Sequence, residues 1–373
     1  MTQSPKILEH RTICKQPGRY IGWPTIDQGP DGTLYAVFSG DRDAHVCPFG
    51  KTLMVRSEDG GETWSDPVLI TDSPLDDRDV GLCVCRSGTL VVSWFTAYSD
   101  LRYLPDDADE GTRQRWETKL SSISAANLAR WTHVSYDVPR GHWLRRSLDG
   151  GRTWEDPIRA PGTTPHGPIE LSDGRLFFLG NTGHDARYQT TAIAGAVSED
   201  EGRTWEVVGT LSMFPAVQTT APDGYAFLAE PHVVEVNPGH FLGMARYEER
   251  PRIAGGMPSQ LWQFTSDDEG ITWTDPRPTA IVGKPPHLLK LQDGRILVTY
   301  GYRHAPYGQR ACVSEDGGTT WGPEIILRAN APSGDLGYPA TVQLDTGTLL
   351  TVYYQIEPPD EKTSLMLTRW KLT

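Results

Sequence analysis

Six short stretches of this 373-residue chain carry residue types able to do chemistry, and each stands at the start of an apolar strand pattern. They read Gly22-Trp23-Pro24, Asp77-Arg78-Asp79, Pro165-His166-Gly167, Glu230-Pro231-His232, Pro286-His287 and Gly337-Tyr338-Pro339. A purely structural repeat needs only small or apolar residues there. This set instead supplies an indole, carboxylates flanking a guanidinium, three imidazoles, a further carboxylate and a phenol. Gathered at one place, such groups can donate and accept protons, hold an anion and attack an electrophilic carbon.

Two interleaved repeats show how they are gathered. The pattern S-x-D-x-G-x-T-W occurs five times, beginning at Ser57, Ser147, Ser198, Ser266 and Ser314. Its Ser and Asp can bond backbone amides in a tight turn, and its Gly supplies positive φ. The Thr starts a strand, and the Trp plugs the apolar layer beneath. Between these turns lie six apolar hairpins, Thr25 to Phe38, Leu82 to Trp94, Ile169 to Leu179, Val233 to Met244, Leu288 to Tyr300 and Ala340 to Tyr353. Self-similarity at this period predicts an all-β repeat architecture in one domain, residues 1–373, and the turns resemble those of the sialidase superfamily, which implies a six-bladed β-propeller. The sixth blade lacks the S-x-D-x-G-x-T-W turn. Its outer strands are expected from Thr363 to Leu372 and, returning from the N-terminus, around Arg11 to Cys14, so that ring closure leaves no open sheet edge.

One insertion, about residues 98–145 in blade two, breaks the rhythm. Its Asp106 to Arg130 portion spaces Trp116, Leu120, Ile123 and Leu128 like an amphipathic helix, which suits a cover over the propeller mouth or an interface helix. A net charge of −13 argues against nucleic acid and against an anionic membrane surface. The first twelve residues lack a signal-like apolar core, and no stretch approaches a membrane span. Five cysteines without C-x-x-C spacing fit reduced thiols, hence an expected cytoplasmic location. His166, His232 and His287 lack ligand-like spacing, so neither metal nor cofactor is expected. Oligomeric state is not encoded in any recognisable pattern.

The five turns resemble the Asp-boxes of the sialidase superfamily, six-bladed β-propellers that carry them on the face opposite the active site. The resemblance extends to residues. Glu230 opening a strand and Arg246 closing its hairpin are similar to the family's partner of the nucleophile and its carboxylate-gripping arginine. Asp335-Leu336-Gly337-Tyr338 resembles the segment bearing the nucleophilic tyrosine. Arg303, or else Arg310, stands where another carboxylate-binding arginine is implied. Two positions depart. Gly22-Trp23-Pro24 replaces the family's Arg-Ile-Pro, so Trp23 stands where the first triad arginine belongs. The loop Ser39 to Lys51, expected to hold an acid/base Asp, offers Asp43 or His45, with Arg42 beside them as a substrate-binding candidate.

What these residues favour is an exo-acting glycoside hydrolase for an acidic saccharide. A neutral phenol can approach an anomeric centre bearing a carboxylate, where Asp or Glu would be repelled. Glu230 would accept the phenol proton, since free Tyr, with a pKa of about 10, is unreactive at neutral pH. Arg246 and Arg303 supply forked donors for the substrate carboxylate. Trp23 suggests stacking on a sugar face, and Arg78, Asp79 and His287 complete the expected binding set. Two other readings use the same ring. A uronate lyase would take its base and acid from His45, His166, His287 and Tyr338, and a non-catalytic module would merely bind glycan.

Overall fold

The strand starts and the Asp-box turns lie at opposite ends of the same sheets. The computed structural model describes residues 5–97, 99–123, 141–185, 190–211, 224–250 and 259–372. In blade one the innermost strand Tyr20–Gln28 runs away from the candidate site, Leu34–Arg42 returns, and Lys51–Ser57 descends again, with Ser57 paired to Leu34. The turn after the third strand therefore falls at the far end, and antiparallel alternation repeats this in each blade.

Six four-stranded antiparallel sheets are present. Their innermost strands are Tyr20–Gln28, Asp76–Val84, Ile169–Glu170, Tyr225–Asn237, Pro286–Lys290 and Gly337–Gln343. The sixth sheet is closed by Thr363–Lys371 and by the N-terminal strand Lys6–Cys14, so the two ends of the chain lock the ring together.

Each Asp-box repeats one set of bonds. In the first, Ser57 Oγ donates to Asp59 Oδ1 at 2.8 Å, Gly61 N–H to Ser57 Oγ at 2.9 Å, and Thr63 Oγ1 to Asp59 Oδ2 at 2.6 Å. The other four keep these contacts within 0.1 Å. The five box tryptophans, Trp64, Trp154, Trp205, Trp273 and Trp321, pack against five different apolar clusters. Each cluster joins side chains of two neighbouring blades, so the box seals the seam between blades. The seam between blades five and six has no box, and there Trp370, on the third strand of blade six, is fully buried in its place.

The insertion is smaller and less amphipathic than its spacing predicts. It contains a short 3-10 turn, Leu101–Tyr103, and a helix, Glu110–Ser122, and it ends before the strand Gly141–Ser147 rather than at 145. Trp116 is the one buried residue of the helix, whereas Leu120 and Ile123 are partly exposed. Leu128 lies outside the described residues. The apolar spacing fails as a guide because, among the described residues, polar and cation–ring contacts dock the helix: Arg115 and Lys119 lie 5.0 and 5.8 Å from the Phe49 ring centroid. Trp116 Nε1 donates to Asp43 Oδ2 at 2.8 Å, and Arg115 bonds both oxygens of Asp43 at 2.6 Å.

Candidate active site

Four of the six strand starts are bent in the same way. Trp23, Asp79, Glu230 and Tyr338 have φ of 53°, 49°, 52° and 52°, left-handed values that non-glycine residues rarely adopt. At each, the pairing with the second strand slips: between Gly22 and Thr25, Arg78 and Gly81, Ala229 and His232, and Gly337 and Ala340. A bulge re-aims a side chain that regular pleating would send elsewhere. Repeated strain of about 1–3 kcal/mol per residue persists only where surrounding packing holds it, and such residues cluster at functional sites. Asn181 of blade three holds one of these bends: its Oδ1 accepts the Glu230 N–H at 2.9 Å, and its Nδ2 donates to the Leu228 carbonyl at 3.1 Å.

These bends bring blade four and blade six together. Tyr338 Oη donates to Glu230 Oε1 at 2.6 Å. Arg246 Nη1 donates to Glu230 Oε2 at 2.5 Å and lies 3.5 Å from the Tyr338 hydroxyl. Burial, then the charges of Glu230 and Asp79, push the Tyr338 hydroxyl well above its ordinary pKa, against the pull of Arg246 and Arg303. The free protein therefore holds a neutral phenol hydrogen-bonded to a carboxylate. Asp79 faces the same group. Burial and the nearby Glu230 charge raise its carboxyl to about 7, and its Oδ1 has no partner among the described residues.

The arginines divide into committed and uncommitted groups. Arg246 also pairs with Glu248 at 2.6 Å, so two carboxylates occupy the residue that the sequence offers as the main grip on a substrate carboxylate. Glu248 lies two positions after Arg246 on one strand, hence on the same side, a spacing that could have revealed it. Lys284 is buried against Glu248 at 3.2 Å. Burial outweighs that carboxylate and lowers its ammonium to about 8. Arg303 and Arg78 have no carboxylate partner among the described residues, and the Nε of each is buried and unbonded. Arg303 reaches the Tyr354 hydroxyl at 3.4 Å and sits 5.7 Å from the Tyr338 ring, whereas Arg310 is turned to Glu324 at 3.3 Å.

Trp23 corrects one expectation. It is 1% exposed, with the Arg42 and Arg78 guanidinium groups 4.7 and 4.6 Å from its ring centroid. It props cations at the mouth instead of offering a face to a sugar. Arg42, expected to bind substrate, is fully buried and pairs with Asp76 at 2.7 Å while donating to the Asp77 and His45 carbonyls. Asp43 likewise holds Arg19, Arg115 and Trp116 and so anchors the helix. His45 differs. Its ring stands edge-on to Trp23 at 4.9 Å, and its Nδ1 lies 2.9 Å from Tyr20 Oη and 3.2 Å from Asp335 Oδ1.

His166 and His287 are also placed differently from the sequence reading. With His232 they form a buried cluster with centroids 4.6 to 5.3 Å apart. Their Nδ1 atoms bond other blades: His232 accepts the Leu288 N–H at 2.9 Å, His287 the Thr341 N–H at 3.4 Å, and His166 meets Thr25 Oγ1 at 3.2 Å. That last bond joins blade three to blade one, so the cluster closes the axis. No His, Cys, Asp and Glu grouping among the described residues could hold a metal ion. Tyr20, Tyr354 and Asp335 complete the mouth and escaped the sequence reading as working groups. Tyr20 is two residues ahead of Gly22 on its strand, whereas Tyr354 is hidden inside an apolar run.

Comparison with known proteins agrees with the architecture. A structure from Dyadobacter fermentans, of unknown function, superposes with a TM-score of 0.75 at 23% identity, covering 99% of this chain and all of the other. The intramolecular trans-sialidase of Ruminococcus gnavus gives 0.59 at 14% identity, with 94% of each chain covered. An α-L-arabinanase of Penicillium chrysogenum gives 0.60 at 16%, covering 99% of this chain and 98% of its own. These likenesses are of fold. No curated protein sequence matches the chain. The family model for the BNR repeat-like domain matches residues 120–351, more than half of the chain. The protein therefore belongs to the BNR repeat-like family and has the sialidase-like six-bladed propeller fold.

Proposed function

We propose that the protein is a retaining glycoside hydrolase for an acidic saccharide, with Tyr338 as nucleophile and Glu230 as the base that activates it. The observation that carries this reading is the 2.6 Å bond from the Tyr338 hydroxyl to Glu230. A phenol is a poor nucleophile at neutral pH unless its proton has somewhere to go as the new bond forms. Glu230 is held for that transfer by Arg246 on its other oxygen. Arg246 thereby acts as a positioning residue. The substrate carboxylate falls to Arg303, with Arg78 as second donor, because these guanidinium groups lack carboxylate partners among the described residues. Half-buried guanidinium groups without a carboxylate partner among the described residues favour an anionic ligand.

The test is incubation with sialosides, uronate-containing disaccharides and arabinobiose, with products read by mass and ultraviolet absorbance. A saturated free acidic sugar, released with the substrate's anomeric configuration, is the expected product. Tyr338→Phe should lower kcat by at least ~10³-fold with substrate binding retained. An unsaturated, ultraviolet-absorbing uronate or turnover of arabinobiose alone would refute the reading.

A further inference from the structure

Outside the Tyr338–Glu230–Arg246 group, a second polar cluster at the mouth has a feature that the reading above does not use. Asp335 Oδ1 is approached by the hydroxyls of Tyr20 at 2.9 Å and Tyr354 at 3.2 Å, and by His45 Nδ1 at 3.2 Å. The His45 and Asp335 side chains are 43% and 39% exposed while Tyr20 and Tyr354 are buried, so the cluster opens to solvent on one side and is held by the protein on the other. An ionised carboxylate only accepts, so all three neighbours point hydrogens toward it. Burial would raise Asp335, but the His45 and Tyr20 bonds and the Arg303 charge hold it below the usual carboxylate range. Nδ1 of His45 must then carry the imidazole proton. A lone pair there would face both a carboxylate oxygen and a phenol oxygen whose hydrogen is directed elsewhere. The nitrogen left to exchange protons with a ligand is Nε2.

From this geometry we infer that His45 is the acid/base that exchanges a proton with the leaving-group oxygen, held in register by Asp335 and Tyr20. The inference rests on the glycosidase reading. Its competitor on the same loop is excluded by occupancy, because Asp43 has both oxygens bound by Arg115 and one also by Trp116. Protons balance across two steps. In the first, Tyr338 Oη bonds the anomeric carbon, its proton passes to Glu230, the glycosidic C–O bond breaks, and imidazolium Nε2–H protonates the departing oxygen. In the second, water attacks the anomeric carbon and gives its proton to neutral Nε2. The bond to Tyr338 breaks, and Glu230 returns the phenol proton. An Asp–His pair fixing the tautomer is the general device for aiming one imidazole nitrogen at a substrate.

The groups facing His45 are Asp335 and Tyr20, the Trp23 ring, and the charges of Arg78 and Arg42. Burial, outweighing Asp335, lowers its imidazole below 6.5. The test compares 4-nitrophenyl and methyl glycosides of N-acetylneuraminic acid and of glucuronic acid in wild type, His45→Gln and Tyr338→Phe. His45→Gln should lower kcat/KM by ~10²–10⁴-fold on the methyl glycosides and by less than ~10-fold on the nitrophenyl ones, whose leaving group needs no proton. Tyr338→Phe should lose both alike. Asp335→Asn should move the alkaline limb of kcat/KM to lower pH, because it removes the charge that supports imidazolium. Equal loss on both leaving groups in His45→Gln, or none on either, overturns the assignment while leaving the hydrolase reading intact. Wild-type inactivity on all four glycosides overturns both. Independently of activity, ¹⁵N shifts of neutral His45 should show the proton on Nδ1, and protonation on Nε2 overturns the role by itself.

Discussion

Replacing Asp79 with Asn isolates the electrostatic strain built into the mouth. The Asp79 carboxyl is raised from 3.8 to about 7, by burial first and then by the Glu230 charge, against the attraction of Arg78, Arg246 and Arg42. A raised folded-state pKa means that the native protein binds the extra proton between those values. Its stabilising effect is fully present below 3.8 and is lost as pH rises through about 7. With ~1.4 kcal/mol for each factor of ten in proton affinity, the ceiling is about 4 kcal/mol, and Glu230 shares part of it because the two groups titrate together. Asn is nearly isosteric and cannot ionise. Asp79→Asn should therefore exceed wild type by no more than about 1 kcal/mol near pH 4.5 and become progressively more stable relative to it up to pH 8, by about a further 2–3 kcal/mol. Urea unfolding followed by tryptophan fluorescence at several pH values measures the difference. Asp77 and Asp27 are also raised, to about 7 and about 6, but they are common to both proteins and cancel. A mutant-minus-wild-type difference that is constant from pH 4.5 to 8 would refute the reasoning.

Other perturbations probe separate parts of the same picture. Asp43→Ala strands the buried Trp116 Nε1–H and frees Arg115. It should cost about 2 kcal/mol and expose residues 99–123 to proteolysis at concentrations that leave wild type intact, and unchanged cleavage would remove the anchor role. Arg303→Met should weaken calorimetric binding of free glucuronate or N-acetylneuraminate by about 10–100-fold, the worth of a charge-assisted hydrogen bond. Arg246→Met should instead reduce kcat with a smaller effect on binding, because its guanidinium is tied to Glu230 and Glu248; the opposite split would restore it as the carboxylate grip.

The hairpins and the five box turns were readable along the chain because each depends on residues within a few positions of one another, whereas the closing of blade six, which pairs Lys6–Cys14 with Thr363–Lys371, followed from counting strands. A Ser, an Asp, a Gly and a Thr at fixed offsets satisfy one turn wherever it sits, and apolar alternation marks a strand without reference to its neighbours. The strand starts exposed Tyr338 and Glu230 as candidates, and the resemblance to the sialidase superfamily added Arg246. Tertiary structure decided how they are used. Whether an arginine is free depends on carboxylates from the same or other blades, so Arg246 is taken while Arg303 and Arg78 are open. Asp43 and His45 are two residues apart and equally suited in sequence. The docking of Trp116 claims one, and Asp335, 290 residues away, orients the other. The imidazoles of His166, His232 and His287 meet only when three blades close on the axis, where they join blades. Sequence encodes turns and pleats through near neighbours, whereas charge pairing and proton direction are set by groups that only the closed ring brings within hydrogen-bond reach.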